Sequence, residues 1–272
     1  VLAGRRRPAF WPVATPFVAA DLERTGQLAG RVAELRPAVV LHAAGVSRGA
    51  EAEADPARAR RLNGEAVADL AAAAAAAGAA LILVSTDLVF AGDRERYFEE
   101  DRPDAVGVYG ASKAAGEAAA LAAGQYVVRL PLLLAGDAGR GRRGADTALL
   151  ADLAAGRRPR LFTDEIRCPV AAELAAAGLY RLASRLAAGD RPAAPGRVFH
   201  LAGGEPVDRH RLGREICRAA GVAPAFAAAR AAEVAPERPR RLVLDCAWAE
   251  RELGWKPPDL RQSLARRFPA GR

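Results

Sequence analysis

The segment Ser85–Lys113 opens S-T-D-L-V-F-A-G (85–92) and closes Y-G-A-S-K (109–113), with a polar stretch between. Thr86, Tyr109 and Lys113 are its chemically distinctive side chains. Tyr109 and Lys113 lie four residues apart, a spacing that places both on one face of a helix, about one turn apart. A lysine ammonium near a phenol favours the phenolate, so the expectation is a Tyr109 pKa below the ordinary value of about 10. A tyrosine tuned in this way exchanges a proton near neutral pH. A hydroxyl such as that of Thr86 can hold the same substrate oxygen. The chain has 40 Lys plus Arg, yet its only lysines are Lys113 and Lys256. Arginine is planar and hard to deprotonate, whereas lysine is a compact, tunable point charge. A lysine kept four residues after a tyrosine therefore carries more information here than in an ordinary chain.

Outward from this segment, apolar strands alternate with helices. Ala38–Leu41, Leu81–Val84 and Tyr126–Leu130 are unbroken apolar runs. Helical patterns cover Thr25–Arg36, with Leu28, Val32 and Leu35 on one face, then Pro56 through Asn63 to Ala77, and Ala105–Ala123. This alternation predicts an α/β fold, a doubly wound parallel sheet covered on both faces. Such sheets bind ligands beyond the carboxyl ends of their strands. Asp21, Ala43–Gly45, Ser85–Asp87 and Pro131 all follow strand ends and are expected to line one crevice. In the second half, Gly136–Gly144 reads as a mobile loop and Leu149–Gly156 as a short helix. Thr163–Val170 leads into a helix reaching Ala188, and Val198–Leu201 is a strand returning to the main sheet. Val207–Ala220 reads as a helix, and Arg238–Asp245 with Glu250–Trp255 as a small cap layer.

Composition bounds the function. At 272 residues the chain fits one large domain or two small ones. Cys168, Cys217 and Cys246 are odd in number and widely spaced, which is neither a disulfide framework nor a zinc pattern. Reduced thiols in a cytoplasmic protein are expected. None of the three histidines has a partner at metal-ligand spacing, and His42 reads as a core or supporting group, so no metal is expected. The net charge of +8 comes from scattered arginines, and aromatics are only 6%, so no nucleic-acid stacking platform is expected. The longest apolar run, Leu70–Val84, is shorter than the roughly 18 residues of a membrane span. No signal peptide is visible.

With these residues in place, the chain resembles the extended short-chain dehydrogenase/reductase family, nearest to its dTDP-4-dehydrorhamnose reductase branch. The matching pieces are Asp21-Leu22, R-P-A-V-V-L-H-A-A-G (36–45), Asn63, S-T-D-L-V-F-A-G (85–92), Y-G-A-S-K-A-A-G-E (109–117), V-V-R-L-P (127–131), D-E-I-R-C-P-V (164–170) and L-G-W-K-P (253–257). Nucleotide-sugar dehydratases place a glutamate where this chain has Leu88, which argues against elimination chemistry. The resemblance implies a Rossmann-like αβα core over 1–136 and a mainly substrate-binding portion over 137–272, with 164–201 partly returning to the core sheet. It implies NADPH, or NADH, as cofactor and a 4-keto nucleotide sugar as substrate.

By the same resemblance, Tyr109 is the general acid, Lys113 tunes it and bonds the nicotinamide ribose, and Thr86 bonds the carbonyl oxygen. Asp21 and Leu22 belong at the adenine. Ala43, Ala44 and Gly45 let the cofactor backbone approach, and Asn63, Ser85 and Pro131 complete the cofactor set. Arg5 and Arg6, with Arg7, would meet a ribose 2′-phosphate and favour NADPH. Thr86, Asp87 and Arg167 are the substrate-side candidates, and Arg140, Arg142 and Arg143 are further phosphate partners. The family's glycine-rich loop between the first strand and first helix is not found near the start. Val1–Arg7 aligns with the family's second strand, so a core without the first strand, that loop and the first helix is expected. A 4-epimerase and a non-catalytic subunit, like the regulatory subunit of methionine adenosyltransferase, are the competing readings. A cytoplasmic protein is expected, with a homodimer left open.

Overall fold

Leu2–Gly4 (β1) and Phe17–Ala19 (β2) pair in parallel as a two-stranded sheet, followed by the helix Gln27–Leu35 (α1). Pro37 cannot continue that helix, and it closes at Arg36 with φ of 42°. Val39–His42 (β3) leads into the short helix Gly49–Ala54 (α2). Asp55 caps the next helix by accepting the Arg58 N–H at 2.9 Å, with Pro56 in the first turn. That helix runs as Pro56–Arg60 (α3), a π-helical turn at Arg61–Glu65 and Ala66–Ala76 (α4). The strand Ala80–Thr86 (β4), a 3₁₀ turn at Asp87–Val89, the helix Val108–Ala122 (α5) and the strand Tyr126–Leu130 (β5) complete the first half. This computed structural model describes residues 1–5, 14–24, 26–135 and 144–268.

The second half is built of shorter pieces. Leu133–Leu134 (β6), Ala145–Ala154 (α6), Arg160–Phe162 (β7), Ile166–Arg167 (β8) and Val170–Ala171 (β9) precede the long helix Ala172–Ala187 (α7). Val198–His200 (β10), Val207–Asp208 (β11), Arg209–Ala220 (α8), Ala227–Ala229 (β12) and Ala231–Val234 (α9) follow. Arg241–Leu242 (β13), Ala247–Leu253 (α10) and Leu260–Arg267 (α11) end the described chain.

The main sheet has the order β10-β5-β4-β3 and is parallel throughout. Strand residues alternate between its two faces, as strand geometry requires. Ile82, Val128 and Phe199 pack on one side with Leu179, Leu182 and Leu186 of α7. Leu81, Leu83, Val127 and Val198 pack on the other with Val67, Leu70 and Ala74 of the α3–α4 helix, Val32 of α1 and Ala120 of α5. The result is the expected helix–sheet–helix sandwich. A separate cluster of Leu134, Leu149, Val207, Leu212, Ile216 and Leu264 joins α6, α8 and α11 beside the sheet. The three cysteines are free and buried. Among the described residues, no helix is long and apolar enough to cross a membrane.

Three expectations need correction. Helix α2 lies where no helix was expected, because Gly49–Ala54 is too short to show a periodic apolar face. Val207 and Asp208 form β11 against β8, and the helix behind them starts only at Arg209. The stretches 238–245 and 250–255 are not a cap: Leu242–Leu244, Cys246, Ala249, Leu253 and Trp255 are buried in the same cluster as the main sheet and α7. The loop expected at 136–144 lies almost wholly outside the described residues.

A buried ion pair ties α5 to the sheet. Arg129 of β5 donates to Glu117 of α5 at 2.8 Å, and both side chains are 2% exposed. The Arg129 guanidinium also lies 4.8 Å from the centre of the Phe90 ring and 3.3 Å from His200 Nε2. Removing one partner of such a pair strands a buried charge, at about 3–5 kcal/mol. Glu117→Ala is expected to lose stability of that order in urea unfolding. The double replacement of Glu117 by Leu and Arg129 by Met is expected to lose less than Glu117→Ala alone.

Candidate active site

Strand β4 is the longest in the sheet, and its carboxyl end delivers Ser85 and Thr86 to the sheet rim. The chain turns there at once. The Thr86 hydroxyl accepts the Leu88 N–H at 3.2 Å and donates to Asp87 Oδ1 at 3.2 Å. Helix α5 comes down on this turn closely enough that a Cβ on Gly110 would sit 2.0 Å from the Leu88 carbonyl oxygen. The start of α5 is fixed by α2, because the Val108 N–H donates to Glu53 at 2.9 Å. Tyr109 and Lys113 thus face the end of β4 from successive turns of one helix. Tyr109 and Thr86 line the same cleft, and the Thr86 hydroxyl acts on the Tyr109 phenol there. The Lys113 ammonium donates to the Val84 carbonyl at 2.7 Å.

These groups line a cleft of about 640 Å³ together with Ala43–Gly45, Ser85, Asp87, Pro131 and Arg167. That volume lies within the range of small-molecule sites. Asn63 supports its floor from the π-helical turn: its Nδ2 donates to the Val46 carbonyl at 3.1 Å and to Ser112 at 2.9 Å. Gly45, with φ of 143°, passes directly over Asn63, whose Oδ1 would lie 2.3 Å from any Cβ there. The backbone at 43–45 is therefore bare by necessity. His42 Nε2, Asn63 Oδ1, Ser85 Oγ and Asp87 Oδ2 are buried without a hydrogen-bond partner among the described residues. A bare backbone corner, free polar atoms and a cation at a strand's carboxyl edge fit a nicotinamide dinucleotide. Ala43–Gly45, Ser85, Lys113 and Pro131 line the cleft at this corner.

The electrostatics correct one expectation. Tyr109 is pushed up to about 12, not down, by burial first and the nearby Asp87 charge second, with the Thr86 hydrogen bond opposing. Lys113 is not among the groups that shift Tyr109, and its ammonium donates to the Val84 carbonyl. At neutral pH Tyr109 therefore keeps its proton. Lys113 is drawn down to about 8 by burial, with Glu117 opposing. His42 is lowered to about 4 by burial and by Lys113, so it is neutral at physiological pH. Asp87 is raised to about 6 by burial, against the pull of Arg167 and the Thr86 hydrogen bond.

Other candidates sit elsewhere. Asp21 folds into a local turn, accepting the Glu23 N–H at 3.1 Å while its own N–H donates to Gln27. Leu22 packs beside the Val46, Ala52, Ala59 and Leu62 cluster. Neither lines the cleft, and Arg5 is exposed at the end of β1. Arg6, Arg7, Arg140, Arg142 and Arg143 lie outside the described residues. Arg167 lines the cleft wall but spends its donors on backbone: 2.8 Å to the Ile166 carbonyl and 2.8 Å to the Pro239 carbonyl. It also donates to the Arg240 carbonyl at 3.4 Å, and its carboxylate partners are Glu165 at 3.5 Å and Asp87 at 4.0 Å. It therefore acts as a fixed cation behind Asp87 more than as a free phosphate ligand.

Sequence reasoning missed Glu165, Arg209 and Arg238, which also line the cleft. Arg238 donates to Glu165 at 2.8 Å, and Arg209 lies 3.8 Å from it. Burial works to raise Glu165, but Arg167, Arg238 and Arg209 outweigh it and hold the carboxyl low. Nothing in spacing distinguishes Arg209 and Arg238 from the many other arginines. Glu165 stood inside a quoted motif and could have been chosen.

The sequence profile of the RmlD substrate binding domain family matches residues 5–270. A dTDP-4-dehydrorhamnose reductase of Streptomyces griseus is 34% identical over 275 residues, spanning 92% of this chain and 82% of the relative. The probable low-salt glycan biosynthesis reductase Agl14 of Haloferax volcanii is 31% identical over 226 residues, spanning 78% of this chain and 71% of the relative. Among solved structures, a dTDP-4-dehydrorhamnose reductase from Bacillus anthracis in complex with NADP superposes with a TM-score of 0.80 at 22% identity, over 93% of this chain and 89% of that one. That likeness shows a shared fold over nearly the whole chain. The match across the sequence and the fold that carries it make this chain a member of the RmlD substrate binding domain family.

Proposed function

We propose that this protein is an NAD(P)H-dependent reductase that converts the 4-keto group of a nucleotide sugar of the dTDP-4-dehydrorhamnose kind to an alcohol. The observation that carries the proposal is the Tyr109–Thr86 hydroxyl pair at the carboxyl end of β4, beside the buried Lys113 ammonium. Family membership and the reductase names of the long-range relatives support the same reading.

In this scheme the two hydroxyls of Tyr109 and Thr86 hold the substrate carbonyl oxygen. Tyr109, protonated across the neutral range, gives that oxygen its proton as charge develops. The bound nicotinamide supplies a hydride for the carbonyl carbon. Lys113 keeps a positive charge at the floor of the cleft, where it holds the ribose hydroxyls and favours the developing oxyanion. Burial of Thr86, Asp87 and Lys113 excludes water from the reacting oxygen. Leu88, partly buried at the turn after Asp87, offers no carboxylate for elimination.

Net consumption of NADPH with dTDP-4-dehydrorhamnose, and a reduced sugar as product, is the expected result. A 4-epimerase would return its cofactor unchanged, and a non-catalytic subunit would consume none. Tyr109→Phe is expected to lower kcat by on the order of a hundredfold or more while leaving KM for the nucleotide sugar close to that of the unaltered protein. Steady-state kinetics monitored by NADPH absorbance reads both. Lys113, with a pKa of about 8, is charged below that pH and loses its charge as pH rises through it. NADPH affinity, followed by fluorescence titration, is therefore expected to fall between pH 7 and pH 9. In Lys113→Met it is expected to be weak at both values.

A further inference from the structure

The small sheet β11-β8-β13 gathers four charged residues at the cleft. Glu165 directly precedes β8, which carries Arg167. Arg209 directly follows β11, and Arg238 lies just ahead of β13. The pairing continues past the strands, because the Arg209 N–H donates to the Glu165 carbonyl at 3.1 Å. Carbonyl reduction at Tyr109 gives none of Glu165, Arg209 and Arg238 a task.

Glu165 is the hub of the group, with its side chain 3% exposed. Arg238 donates to it through Nε at 2.8 Å and through Nη2 at 3.3 Å. That engages one edge of the guanidinium and leaves Nη1 without a hydrogen bond among the described residues. Arg209 approaches Glu165 through Nε at 3.8 Å, and its guanidinium makes no hydrogen bond among the described residues. The Arg209 and Arg238 side chains are 22% and 48% exposed, against 5% for Arg167, whose donors go to backbone carbonyls. Three guanidiniums here face two carboxyls, Glu165 and Asp87, so this part of the cleft stays positive. A buried carboxylate thus holds two arginines in place while their outer donors remain open. Planar guanidiniums in that arrangement match a phosphate group, and little side-chain ordering is left for the moment of binding.

We propose that Arg209 and Arg238, aimed by Glu165, form the subsite for the phosphate groups of the substrate's nucleotide half. The proposal rests on the reading of the substrate as a nucleotide sugar and gives its diphosphate a place. With the ketone at Tyr109 and Thr86, the substrate runs from the end of β4 to the β11-β8-β13 sheet. NADPH also carries phosphates, but the bare corner at Ala43–Gly45 and the Lys113 ammonium belong to the rim of the main sheet. The arginine pair stands on a different sheet, which favours the substrate as the source of the phosphate.

The test titrates the full chain with dTDP in the presence of NADPH, by calorimetry, and separately with NADPH alone, by fluorescence. It compares the unaltered protein with Arg209→Gln, Arg238→Gln, Arg238→Lys and Arg218→Gln. Arg218 is an α8 arginine that is 78% exposed and does not line the cleft. Each glutamine variant at 209 or 238 is expected to weaken dTDP binding by roughly ten- to a hundredfold. Arg238→Lys is expected to fall between, because it keeps the charge and loses the planar fork. NADPH affinity is expected to be unchanged in all four, and dTDP affinity unchanged in Arg218→Gln. With dTDP-4-dehydrorhamnose, KM is expected to rise in Arg209→Gln while kcat holds, as loss of uniform binding requires. Thermal unfolding checks each variant. Arg238→Gln strips Glu165 of a partner, whereas Arg209→Gln removes no hydrogen bond, so Arg209→Gln decides if the former fails to fold. The subsite is overturned if the unaltered protein does not bind dTDP, or if Arg209→Gln binds it equally well. It is also overturned if NADPH affinity falls in step, or if Arg218→Gln weakens dTDP as much. The dTDP titration needs no turnover. The reductase reading falls separately, if NADPH is not consumed or if Tyr109→Phe turns over normally.

Discussion

Gly110 has no side chain, and the Leu88 carbonyl oxygen lies 2.0 Å from where a Cβ would be. Any other residue there would push α5 off the turn that ends β4. That separation would part the Tyr109 hydroxyl from Thr86 and the Lys113 ammonium from the Val84 carbonyl. The remaining architecture holds this contact in place. Glu53 of α2 fixes the first turn of α5, and the buried Arg129–Glu117 pair fixes its middle to β5. The sheet beneath is rigid because both faces of β4 and β5 are packed.

Much of the first half was legible in the sequence because each element there follows a single local rule. Tyr126–Leu130 is a fully buried run with no polar interruption except Arg129, and it is a strand over those same residues. Pro37 and Pro56 mark a helix end and a helix start as proline must. The second half resisted because its strands are two or three residues long and are fixed by distant partners. Strands β8 and β13 pair across more than seventy residues of sequence, and the burial of Leu242–Leu244 depends on that pairing. No periodicity records such a contact.

The candidate site divides along the same line. Thr86, Asp87, Tyr109 and Lys113 belong to two neighbouring elements, and their convergence follows from strand end and helix face. Their charge behaviour does not follow from spacing. The four-residue interval suggested a lysine acting on a phenol, but burial and Asp87 govern Tyr109, and a backbone carbonyl takes the ammonium. Arg167 was chosen for its charge, yet its donors are mostly taken by carbonyls that belong to residues 239 and 240 and its own strand. Asp21 and Leu22 follow a strand end, but of the separate β1–β2 sheet, so the crevice rule applied to the main sheet does not reach them.

The scarcity of lysine has an experimental consequence. Lys113 and Lys256 carry the only side-chain amines in the chain, and burial draws the first down to about 8 while the second lies exposed. Reductive methylation with isotope-labelled formaldehyde would therefore add very few resonances to a spectrum. One of them would report directly on the floor of the cleft, giving a probe of occupancy that needs no coupled assay and no engineered tag.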